Sequence, residues 1–191
     1  MSSADQRFIE EALQNPINRT ILERLGALEL EQPWLVAGCV YGTVWNLLSD
    51  RPVTENIKDY DVFYWDEDVS WEAEDRVIKG AAELFSDIDA EIEFRNQKRV
   101  PLWFEKRFGA PYPTPSSAKD CIGKFLVECT CVGIGVEEGA YMLEAPFRLE
   151  DVYKGRLVYN QDNPTPHNVQ AKAESYKARW PWLEIVGGSG P

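Results

Sequence analysis

Lys58-Asp59-Tyr60-Asp61-Val62-Phe63-Tyr64-Trp65 is the stretch on which the reading of the chain turns. From Asp59 to Asp66 it is rich in aromatic and β-branched residues, which predicts a strand. On a strand, side chains i and i+2 point the same way, so Asp59 and Asp61 project together about 7 Å apart along the backbone. Two carboxylates side by side repel and raise each other's pKa unless a cation sits between them. The pair therefore asks for a divalent metal. A second predicted strand, with Ile88, Ala90, Ile92 and Phe94 alternating with Asp89, Glu91, Glu93 and Arg95, offers a third carboxylate from Asp89, Glu91 or Glu93 if the two strands are neighbours.

The order of the surrounding elements narrows the choice of fold. The apolar residues follow the acids, so the acids lie at the start of their strand. Haloacid-dehalogenase phosphatases and many glycosyltransferases also use Asp-x-Asp, but carry it at the carboxyl end of a strand. Upstream, the apolar run Trp34-Leu35-Val36-Ala37-Gly38-Cys39 reads as a strand ending at a glycine turn, and Val40 to Leu48 reads as a helix. Before that, apolar residues from Phe8 to Leu28 recur at helical steps, interrupted at Asn15-Pro16. After the acids, Ser70 caps a predicted helix running to about Phe85 with acidic residues in its first turn. Arg95 to Arg107 mixes cations with aromatics, Pro111 to Pro115 reads as a loop, Cys121 to Cys131 as a helix or buried segment, Gly133 to Gly139 as a turn region, and Lys172 to Trp182 as a last helix.

These stretches resemble the DNA-polymerase-beta-like nucleotidyltransferase superfamily, whose signature is Gly-Ser or Gly-Gly at a helix start, then Asp-x-Asp, then an acid on a later strand. More narrowly the chain is similar to small bacterial nucleotidyltransferase family proteins. The matching blocks are Ala37-Gly38-Cys39 with Thr43-Val44-Trp45-Asn46, Lys58 to Tyr64, Ser70 to Asp75, Arg95-Asn96-Gln97 with Val100 and Leu102-Trp103, Thr130 to Gly133, Ala145-Pro146 and Trp180-Pro181. The resemblance implies an α/β (α+β) nucleotidyltransferase fold: a small mixed sheet flanked by helices, with N- and C-terminal helical additions. It implies one domain over residues 1–185 and leaves 186–191 as a flexible tail.

The resemblance further implies that Asp59 and Asp61 bind the catalytic Mg2+, or Mn2+, with Glu93 as third carboxylate and base, Glu91 being the alternative. Gly38 and Cys39 would offer backbone N–H groups to a nucleoside triphosphate at a helix N-terminus. Arg95, Lys98 and Arg99 are candidates for contacts to the phosphates or the acceptor. The implied reaction moves a nucleoside monophosphate to an acceptor with release of pyrophosphate. Two departures stand out: Cys39 occupies a position that usually holds Ser or Gly, and Pro101 one where relatives are expected to have His. A non-catalytic nucleotide- or metal-binding module and a nucleotide phosphohydrolase are the rival readings.

Bulk properties set limits on these. The 191 residues suit one domain. No stretch has the pattern of a signal peptide or a membrane span, so a cytoplasmic protein without membrane partners is expected. A net charge of −12 disfavours broad nucleic-acid binding, yet leaves a metal-held triphosphate open. The four cysteines lack paired zinc spacing and read as reduced, buried thiols. His167, the single histidine, falls in a loop-like stretch and is a poor basis for nucleophilic catalysis. Trp65 and Trp103 are the tryptophans to watch near a nucleotide. Nothing in the sequence specifies the base, the acceptor or the oligomeric state.

Overall fold

The computed structural model describes residues 2–187; most of the expected tail, residues 186–191, lies outside them. The elements run α1 (Ser3–Ala12), α2 (Pro16–Arg24), β1 (Glu31–Val36), α3 (Gly38–Leu47), β2 (Tyr60–Trp65), α4 (Trp71–Leu84), β3 (Ile92–Asn96), α5 (Val100–Phe108), α6 (Ala118–Ile122), β4 (Gly133–Glu137), β5 (Ala140–Glu144), α7 (Glu150–Tyr153), β6 (Arg156–Val158), α8 (Val169–Arg179) and β7 (Glu184–Val186). Five strands form a mixed sheet in the order β3-β2-β1-β4-β5, in which only β2 and β3 are parallel. β6 and β7 pair separately.

The two faces of this sheet have different partners. Leu35, Tyr60, Val62 and Ile134 are buried in one core with Phe8, Ile9, Ile21 and Leu22 of the first two helices. The join between those helices is fixed by chemistry written at Asn15-Pro16. Asn15 caps α2 by accepting from the Ile17 N–H, proline takes the first helical position where its missing N–H costs nothing, and the Asn15 amide donates to Thr43 Oγ1 at 3.1 Å and Tyr60 Oη at 3.2 Å. Asn18 donates to the carbonyls of Ala12 and Cys39. A buried polar network therefore ties the start of α3 and the start of β2 to the same two asparagines.

α8 is anchored against α3 by aromatics. Trp180 lies edge-on to Trp45 at 5.1 Å and donates to Asn46 Oδ1 at 2.8 Å, while Trp45 donates to the Val152 carbonyl at 3.0 Å. The hydroxyls of Tyr41 and Tyr176 meet at 3.1 Å. At the other edge of the sheet, Phe85 at the end of α4 stacks on Phe94 of β3.

Two expectations need correction, and a third is settled between its alternatives. The strand expected over 88–94 begins only at Ile92. Asp89 and Glu91 are exposed in the irregular segment before it; the Glu91 carbonyl already accepts the Tyr60 N–H at 2.9 Å, but residue pairing starts only at Ile92, so the alternation starts before the strand does. Residues 133–139 are not merely a turn region: Gly133–Glu137 is β4, hairpinned to β5 through Glu138 and Gly139. Its glycines are there for close packing. A Cβ on Gly133 would sit 2.8 Å from Ile122 Cδ1 and 3.0 Å from Val36 Cγ1, and one on Gly135 would meet the Trp34 ring at 3.1 Å. Of the two readings of Cys121 to Cys131, helix or buried segment, the second holds: the segment carries the end of α6 and a 3-10 turn, and, as expected, all four cysteines are buried and free.

Gly133→Ala should overpack the junction of β1, β4 and α6. A loss of about 1–3 kcal/mol is expected, or about 2–4 °C of melting temperature per kcal/mol for a chain of this size, measured by thermal denaturation; an unchanged melting temperature would mean that Ile122 yields freely.

Candidate active site

The register of three strands builds the site. Val36 of β1 lies opposite Asp61 of β2, and Asp61 lies opposite Glu93 of β3. Tyr60, buried and held by Asn15, points to the opposite face of the sheet, which leaves Asp61 on the face with Glu93; Asp59, expected to open the strand, lies just ahead of its first residue, near enough for its charge to act on Asp61. One step along, Phe63 lies opposite Arg95. The face thus changes from carboxylate to aromatic and cation within one i,i+2 spacing.

Just after Val36 the chain turns sharply into α3. Ala37, the residue before the helix, has φ 63° and ψ −141°, a region that glycine occupies and alanine rarely does. Among the described residues no side chain caps α3, and the first N–H groups of a helix have no intrahelical partner. Gly38 and Cys39 therefore present N–H groups outside the intrahelical ladder at the positive end of the helix dipole, beside the register position of Asp61. The Cys39 side chain takes no part in this: it is fully buried, and its thiol donates to the Val36 carbonyl at 3.1 Å.

A cavity of about 720 Å³ opens over this face. Ala37, Tyr41, Asp61, Arg95, Lys172 and Tyr176 line its polar part. Burial is the first cause that pushes the Asp61 carboxyl up to about 7, followed by the charges of Asp59 and Glu93, with Arg95 and Lys172 pulling the other way. Lys172, exposed on α8, is held below the ordinary lysine value first by partial desolvation and then by the neighbouring Arg179, although Asp59 and Asp61 draw it up. Lys172 is a site residue that the sequence reading missed. Its signal is faint, since it lies one helical turn before the buried Tyr176 and nothing nearby marks which way that turn faces.

The other expected residues divide. Glu93 is half-buried and bonded to Arg95 at 2.8 Å, so the two side chains partly neutralise each other at the edge of the carboxylate pair. Of the expected residues, Asp61 and Arg95 line the cavity itself; Gly38, Cys39, Asp59 and Glu93 border it through the register and charges described, and Lys98 and Arg99 are engaged with other partners. Lys98 pairs with Glu67 and lies over the Trp65 ring, which accounts for that tryptophan too. Arg99 pairs with Glu74, which is only 5% exposed, and donates to the Val69 carbonyl at 2.9 Å. Since Glu74 also accepts the Asn96 N–H, Arg99 serves to clamp β3 to α4. Trp103 lines the cavity, and His167 is exposed on a 3-10 turn.

Among the described residues no three acidic, histidine or cysteine side chains already form a metal-ligating cluster. The donor set still suits a hard divalent cation: Asp59, Asp61 and Glu93 are all oxygen donors, and the charges of Asp59 and Glu93 both act on the buried Asp61 carboxyl.

Two consequences can be measured. Folded Asp61 holds a proton up to about 7, whereas its ordinary value is 3.8, so the metal-free protein is most stable at low pH with respect to this group and loses that stability as pH rises from about 4 to about 7. In chelator, Asp61→Asn is expected to raise the melting temperature at about pH 8 and to change it little at about pH 4; the reverse order would remove the electrostatic account. Ala37→Gly, which relieves the backbone, should stabilise by about 1 kcal/mol on chemical denaturation, and a loss would mean that this turn is not strained.

Three comparisons bear on this geometry. A family model described as "Nucleotidyltransferase" matches residues 23–185. A solution structure described as revealing "a CCA-adding enzyme head domain" is similar at a TM-score of 0.75, with 25% identity and 96% of each chain covered. No protein of curated function matches the chain.

Proposed function

Because the chain belongs to this nucleotidyltransferase family, we propose that it transfers a nucleoside monophosphate from a nucleoside triphosphate to a hydroxyl acceptor, with release of pyrophosphate and dependence on Mg2+ or Mn2+. The observation that carries the reading is the register Val36–Asp61–Glu93, which sets the open end of α3 beside two strands' worth of carboxylates. A divalent ion held by Asp59, Asp61 and Glu93 would supply charge neutralisation at the phosphates and acidify the acceptor hydroxyl.

The chain's own groups take the remaining roles. The N–H groups of Gly38 and Cys39 hold the leaving phosphates at the helix dipole. Lys172 reaches from α8 toward the same carboxylates and adds positive charge where the triphosphate lies. Glu93 takes the proton of the acceptor hydroxyl, and Arg95 orients it through the 2.8 Å ion pair. The cysteine in place of Ser or Gly does not count against turnover, since its side chain is turned into the core and the backbone donors remain.

Titration of each nucleoside triphosphate with Mg2+ or Mn2+ should raise the melting temperature for at least one nucleotide; about 2.7 kcal/mol is gained at a hundredfold excess over Kd. Asp59→Ala/Asp61→Ala should lose the metal-dependent rise. With an α-labelled triphosphate, a labelled product together with pyrophosphate marks transfer, release of monophosphate without a labelled product marks hydrolysis, and binding with neither marks a non-catalytic module. If no triphosphate shifts the wild type, the reading fails.

A further inference from the structure

The part of the cavity away from the α3 terminus is built from rings. Phe63, Trp103, Phe104, Phe108, Tyr112 and Phe125 all line it, and they contact one another: Phe63 and Phe125 at 5.7 Å, Phe104 and Phe108 at 4.6 Å, Phe104 and Tyr112 at 4.7 Å. Two cations of the same stretch of chain, Lys98 and Arg99, are engaged elsewhere, while Lys106 is exposed and Arg107 sits on the ring wall itself. Lys98 is bound to Glu67, Arg99 to the buried Glu74, and Arg107 lies over the rings of Trp103 and Phe108. Among the described residues lining this half, Lys124 is the cation, while Arg95 at its border is bonded to Glu93. A groove for a polynucleotide needs cations that follow a phosphate backbone. Here a single lysine stands beside six rings on a protein of net charge −12.

Register gives the direction of approach. β1 and β2 are antiparallel with Val36 opposite Asp61, so the chain entering α3 lies at the Asp59 end of β2, whereas Phe63 lies at the other end. In phosphoryl transfer the attacking and leaving oxygens stand roughly in line across the phosphorus. With pyrophosphate leaving toward α3, the acceptor enters from the side of Phe63, Glu93 and Arg95, where the rings are.

We infer that the acceptor is a small hydroxyl-bearing molecule with a planar aromatic part seated among Phe63, Trp103, Phe104 and Phe125, and not the end of a nucleic acid. The inference rests on the transfer reading above. In the step, the acceptor oxygen forms a bond to the α-phosphorus, the bond from that phosphorus to the β-bridging oxygen breaks, pyrophosphate departs with the electron pair, and the hydroxyl proton goes to Glu93.

The test compares three probes on the full chain by calorimetry: naphthylethanol, cyclohexylethanol and a single-stranded hexaribonucleotide. The wild type should bind naphthylethanol most tightly, and Trp103→Leu and Phe125→Leu, which keep apolar bulk but lose a ring, should each weaken it about tenfold while leaving the triphosphate-induced melting shift unchanged. Tighter binding of the hexaribonucleotide, or equal binding of cyclohexylethanol, overturns the inference. So does loss of the triphosphate shift in both leucine variants, which would assign the rings to the donor's base. Ring binding by a wild-type protein that no triphosphate stabilises would overturn the transfer reading while the ring site itself stood.

Discussion

The pairing of β2 with its two neighbours is the constraint on which the rest depends. Because the residue period of a strand is two, a slip of one position would turn Asp59 and Asp61 into the core and Tyr60 out of it. Register here is held from the buried side: Tyr60 is bonded to Asn15, Val62 packs among the residues of the first two helices, and the Tyr60 N–H is taken by the Glu91 carbonyl. The carboxylates gain nothing from burial and would not choose this face themselves. They are carried to it by the side chains between them.

The same division of labour recurs around the cavity. Cys39, Thr43, Asn15 and Asn18 form a buried polar knot, none of them among the described residues that line the cavity, yet it fixes where α3 begins and hence where its first N–H groups lie. Glu74 and Arg99 join α4 to the end of β3, and so hold the turn that leads into the ring-bearing α5. Trp45, Trp180 and Tyr176 hold α8 against α3, and Lys172 comes with it. A local cost falls at the site: Ala37 adopts a glycine-like conformation at the entry to α3, next to the most perturbed carboxyl of the site.

Much of this was legible in the chain. The i,i+2 spacing of Asp59 and Asp61, the apolar run ending in Gly38, the Ser70 cap and the Asn15-Pro16 break all act through local rules, and the elements appear where those rules put them. What was not legible depended on tertiary contacts. The glycines of β4 look like a turn until Trp34 and Ile122 are seen to need their space. Lys98 and Arg99 look like phosphate ligands until the buried Glu74 and the nearby Glu67 claim them. Asp89 and Glu91 share the alternation of the strand without sharing its ladder. Lys172 lies more than a hundred residues from the carboxylates it faces, a distance over which spacing says nothing.

The central claim is that the α3 terminus and the carboxylates of β2 and β3 form one nucleotide site. Paramagnetic line broadening by Mn2+, added together with a nucleoside triphosphate and read on the backbone amide resonances, tests it most directly. The account predicts that the signals of Gly38, Cys39, the residues from Asp59 to Val62, and Glu93 are lost first and together. Broadening centred instead on the exposed acids around Glu67 and Glu72, with Gly38 and Asp61 untouched, would contradict it.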